Sequence, residues 1–65
     1  SIGELIDLLK QQKRCSLYAL FNIKQGRSGV VMTFIALLEL LKQGKISLVE
    51  QGHLQPPLIA ISEHP

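Results

Sequence analysis

The chain has 65 residues, 46% of them hydrophobic, with seven Lys+Arg against five Asp+Glu and a net charge of +2. A chain this short buries only about 60% of the surface it exposes when unfolded, which leaves room for one core and excludes a second domain. Its single cysteine, Cys15, excludes an internal disulfide, fits a reducing, cytosolic setting and reads as a small buried hydrophobe.

The first helix is predicted over "SIGELIDLL", from Ser1 to Leu9. Ser1 and Glu4 have the spacing of a capping box. Ile2, Leu5, Ile6 and Leu9 recur at i, i+3, i+4 and i+7 and share one face, which Leu8 widens. Lys10 to Arg14 is polar and basic, as suits a helix end. Arg14 and Cys15 read as a short strand. Ser16 is placed to cap a short second helix, with Leu17, Leu20 and Phe21 on one side of it. Asn22 to Gly29 reads as a loop, punctuated by Asn22, Gly26, Ser28 and Gly29.

The third helix is predicted from Val30 to Gln43, with Gly44 as its stop. "KISLVEQ" alternates as a strand, and Gly52 with Pro56 and Pro57 marks a turn or wing. Leu58 to Ile61 makes a second short strand, which pairs with the first as an antiparallel hairpin. The order is helix, short strand, helix, helix, hairpin. That is a mainly α fold with a small β-hairpin, the winged-helix variant of the helix-turn-helix. The whole chain, 1–65, is expected to form one such domain. It opens on Ser1 with no Met and reads as a piece of a longer protein.

On a wheel of 100° per residue the third helix has no clean polar face. Val30, Phe34, Leu37, Leu38 and Leu41 gather on one arc, with Val31 at its edge, and this arc is expected to face the core. Met32, Ala36, Glu39 and Gln43 occupy the opposite arc, flanked by Thr33 and Leu40 on one side and Ile35 on the other. A DNA-reading winged helix needs Arg, Lys, Asn, Gln or Ser/Thr on that outer arc. Here only Gln43 and Thr33 qualify, and Glu39 would face a polyanion. Phosphate contacts would fall to Arg27, Lys42 and Lys45. Met32, Ile35, Ala36 and Leu40 instead form a small apolar patch with a polar rim, the layout of a protein-binding surface. Ile35 and Leu40 have a second reading, as residues covered by the chain's own hairpin. The competing functions are a DNA-binding module of a transcription regulator and a homodimer through the same patch.

Catalytic chemistry is not readable. No nucleophile has a base at useful spacing, and Glu4, Asp7, Glu39, Glu50 and Glu63 are scattered. His53 and His64 lack companions at metal-ligand spacing, and the glycines do not form a phosphate-cradling loop. The expectation is no enzyme, no metal and no cofactor. The longest apolar region is broken at Thr33 and closed at Glu39, too short to span a bilayer, and no signal peptide is expected, since no cationic start leads into an apolar run.

Thr33-Phe34-Ile35-Ala36-Leu37-Leu38-Glu39-Leu40, then Lys42-Gln43-Gly44, then Val49-Glu50-Gln51, resembles the C-terminal winged helix of the bacterial kleisins, the segregation and condensation protein A family. "CSLYALF" is similar to that family's short strand and second helix. The resemblance runs from about Arg14 to Gln51. It implies docking on the ATPase head of a structural-maintenance-of-chromosomes (SMC) protein, closing a ring around DNA that the domain holds only indirectly. It also implies a cytoplasmic, nucleoid-associated setting, no membrane, and a second accessory subunit bound through other parts of the protein. Carried onto this chain, the docking positions are Met32, Ile35, Ala36, Glu39 and Gln51, the last from the resemblance alone. After Glu50-Gln51 the family continues with a Phe-Gly-Asp-like wing, whereas this chain has "GHLQPPLIAI".

Overall fold

The computed structural model describes residues 2–21 and 26–63. Ser1, and with it the expected capping box, lies outside the described residues. So does the first half of the loop predicted from Asn22.

Helix α1 spans Ile2–Gln12, three residues beyond its predicted end. Its apolar face turns inward as the spacing requires. Leu9 is fully buried, and Leu5, Ile6 and Leu8 pack around the same core. The helix stops at Lys13, which adopts the left-handed region at φ 67°. The Lys13 amide donates to the Leu9 carbonyl at 2.7 Å, the single bond of an αL C-cap. Glycine normally holds such a position, because a Cβ there costs about 1–2 kcal/mol. Lys13→Gly is therefore expected to stabilise the fold by about 0.5–1 kcal/mol, part of the relief being offset by glycine's entropy in the unfolded chain. Urea denaturation measures it. The lost ion pair with Glu63, at 3.7 Å and two-thirds exposed, subtracts little.

Strand β1 follows over Arg14–Ser16. The Ser16 hydroxyl accepts from the Tyr18 amide at 3.2 Å, an i, i+2 turn that diverts the chain out of the strand. The second helix foreseen after it is a single 3₁₀ turn, Tyr18–Leu20. Leu20 is buried, and Leu17 and Phe21 pack against the core, so the expected apolar side holds.

Helix α2 spans Gly26–Lys42 and begins four residues before the predicted Val30. Gly26, Ser28 and Gly29 are read as loop punctuation, yet the first turn of a helix tolerates them where the rest of the helix packs. The stop at Gly44 is as foreseen. Gly44 has φ 73°, its amide donates to Leu41 O, and the Lys45 amide donates to Leu40 O, both at 3.0 Å. This pair of bonds is the Schellman motif.

Strands β2, Ile46–Val49, and β3, Leu58–Ile61, form the expected hairpin. Strand β1 also pairs with β3, giving a three-stranded antiparallel sheet of order β1-β3-β2. The fold is thus a winged helix with two α-helices and a three-stranded sheet. Cys15, Ile59 and Leu48 share one sheet face, as do Ile46 and Ile61, because directly opposed residues point the same way. Helix α1 packs on β1 and β3, and α2 packs on β2. The core between them is Leu9, Cys15, Leu20, Leu37, Leu40, Ile46 and Ile59. Both helix stops are tied to the end of β3: the Ile61 amide donates to Lys13 O at 3.0 Å and the Ser62 amide to Lys45 O at 2.9 Å.

Candidate binding face

Most of the large hydrophobic side chains exposed among the described residues lie on α2. Its inward stripe is Leu37 and Leu40, both buried, with Thr33, Ala36 and Leu41 partly buried beside them. Val31, Phe34, Ile35 and Leu38 are each 50–52% exposed, and Met32 is 64% exposed. The inward arc predicted on the wheel is therefore corrected. Phe34 and Leu38 do not enter the core, Val30 is exposed, and Leu40 is one of the best-buried residues. The helix is turned by roughly 60–80° from the predicted orientation, at 100° per residue. The reason is tertiary. The second helix is only one 3₁₀ turn, and the stripe that is buried is the one meeting Leu9, Leu20 and the sheet residues Cys15, Ile46 and Ile59.

Of the foreseen partner-binding residues, Met32, Ile35 and Glu39 are exposed and lie at i, i+3 and i+7 on one side of α2. Ala36 is corrected: it borders the inward stripe and is partly buried. Gln51 is exposed, and its side-chain amide donates to Pro56 O at 2.7 Å. It closes the wing onto itself instead of standing free. The Glu39 carboxylate accepts from the Gln43 amide one turn on, at 3.0 Å. Val31, Phe34 and Leu38 are exposed residues that the sequence reading does not place on the outward side. The small residues Thr33 and Ala36 beside Leu37 and Leu40 were the available signal, since small side chains let a helix approach a sheet.

The wing, residues 50–57, is folded and not a bare link. Gly52 has φ 119° and Leu54 φ 64°, and the Gln55 amide reaches Gly52 O at 3.4 Å. Leu54 is 90% exposed at the tip. The Leu17 amide donates to Pro57 O at 3.3 Å, which anchors the far side of the wing next to β1. Among the described residues no group of three His, Cys, Asp or Glu comes together, and no helix is long and apolar enough to cross a membrane.

The chain is 34% identical over 55 residues to segregation and condensation protein A of Xylella fastidiosa strain Temecula1, an alignment covering 85% of this chain. It is 37% identical over 49 residues, 75% of this chain, to the protein of the same name from Coxiella burnetii strain RSA 493. The chain belongs to the segregation and condensation protein A family. It spans 18% of the length of each of these family members. No family model matches it, and no solved structure matches it. Cys15 packs in the core, and burial pushes its thiol above the ordinary cysteine range, which disfavours the thiolate.

Proposed function

We propose that this chain is a C-terminal winged-helix domain of a bacterial kleisin, one component of a chromosome segregation and condensation complex, and that it docks on the ATPase head of an SMC protein. One observation carries the docking: the uncovered apolar side of α2, formed by Val31, Met32, Phe34, Ile35 and Leu38. A contiguous apolar patch with a polar edge, here Glu39 and Gln43, is the usual form of a protein-binding surface. The role is that of a non-enzymatic adaptor on the nucleoid. DNA is held through the partner, and the second accessory subunit is met by other parts of the full-length protein.

The DNA-reading alternative gains nothing from this face. Its five apolar side chains cannot read base edges, and among the described residues the cations on it are Arg27 and Lys42. Isothermal calorimetry with an isolated SMC ATPase head tests the proposal. Saturable binding is expected. No detectable heat at tens of micromolar protein, roughly the weak end of useful affinity, overturns it. Duplex binding that falls steeply with salt would put the DNA reading in its place.

A further inference from the structure

The exposed stripe of α2 ends in a cation on each side. On the wheel, Arg27, Phe34, Ile35, Leu38 and Lys42 all fall within about 60° of Val31. Arg27 and Lys42 are exposed and, among the described residues, make no ion pair. They lie fifteen positions apart along the helix, a rise of about 22 Å. The binding face is thus a strip of apolar side chains with one positive charge at each end and none between. The one carboxylate of α2, Glu39, is on the flank and accepts from the Gln43 amide.

This arrangement discriminates between occupants. A second copy of the chain would pair α2 with α2 about a two-fold axis. In the antiparallel setting centred between Phe34 and Ile35, Arg27 of each copy meets Lys42 of the other. In the parallel setting Arg27 meets Arg27 and Lys42 meets Lys42. Both settings oppose like charges at both ends of a helix pair, which disfavours association. A partner with an apolar centre and carboxylates at both ends fits instead. Building on the docking reading above, we propose that the partner surface on the SMC head is an apolar strip bounded at each end by acidic side chains about 22 Å apart, and that Arg27 and Lys42 fix the direction in which α2 lies on it. The apolar centre holds the complex together, and the two end charges set its register and its salt sensitivity.

The test is the affinity of the chain for the SMC ATPase head at low and at high salt, for the unmodified chain, for Arg27→Glu, for Lys42→Glu and for the neutral pair Arg27→Gln with Lys42→Gln. Thermal melts check that each variant is folded, as exposed positions allow. Wild-type binding is expected to weaken with salt. Each charge reversal is expected to weaken low-salt binding about fivefold to tenfold and to have little effect at high salt, and the neutral pair is expected to flatten the salt dependence. Wild-type affinity and salt slope in all three variants overturn the acidic-ended strip while leaving docking in place. Absence of wild-type binding overturns docking and the strip with it. Dimerisation of the free chain through α2, or equal variant sensitivity in binding to anionic lipid vesicles with none to the head, also overturns it.

Discussion

Leu38→Arg is expected to abolish binding to the SMC head and to leave the fold intact, and Ile35→Arg should do the same. Both side chains are about half exposed at the middle of the α2 strip. A charge there must be desolvated on docking, and truncating or charging a central anchor of this kind costs at least about 2 kcal/mol, roughly thirtyfold in affinity. In the free chain the same change stays near neutral, within about 0.5 kcal/mol, because solvent reaches the site. Calorimetry reads the first effect and a thermal melt the second. Leu38 is the more informative position. Were it a core residue, as the wheel predicts, the variant would unfold. Ala36→Glu should behave in the opposite way, losing stability before binding is reached, because Ala36 borders the stripe packed on the sheet.

Ile59→Ala is expected to remove most of the stability of the domain. Ile59 is almost fully buried, on the central strand, opposite Cys15 on one side and Leu48 on the other. Shortening a buried Ile to Ala costs about 2–5 kcal/mol, the larger values where the cavity cannot collapse. A domain of this size has a total stability of roughly 3–10 kcal/mol. Urea unfolding followed by circular dichroism should show the midpoint fall sharply, or no cooperative transition at all. An unchanged midpoint would mean that the site has relaxed to fill the space.

Elements whose sequence signals are local were legible. The αL stop after α1 was not named, but the basic end of that helix was. Gly44 and the wing punctuation fall where they are expected because cap and turn chemistry depends on neighbours in sequence, whereas Ser16, expected to cap a helix, only turns the chain: Leu17 precedes the 3₁₀ turn and no side chain caps it. Strand β1 was seen as extended, yet its pairing with β3 was not, since nothing in "RCS" states which strand it joins. The rotation of α2 was not legible at all. Gly29, Thr33, Leu37 and Leu40 are as well spaced for a buried stripe as Val30, Phe34, Leu37 and Leu41. A helix that is apolar on nearly every side leaves the choice to what packs against it. For the same reason the exposure of α2 was only partly legible: Met32, Ile35 and Glu39 are exposed in either orientation, while that of Phe34 and Leu38 depends on the observed one.

The strand order β1-β3-β2 also governs how the molecule can form. Strand β3 is the last element in sequence but the middle one in space. Before it is in place, β1 and β2 have no partner to bond, and the carbonyls of Lys13 and Lys45 wait for the amides of Ile61 and Ser62. On the ribosome, where chain emerges from the N-terminus, α1 and α2 are therefore made well before any sheet can exist. The greasy side of α2 and the future core side are both open during that interval. Joining β1 to β3 brings together residues more than forty positions apart along the chain, from Arg14–Ser16 to Leu58–Ala60. Such long-range pairing is slow to form compared with the local β2–β3 hairpin, so β1 is the strand whose unpaired edge stays open longest to other chains.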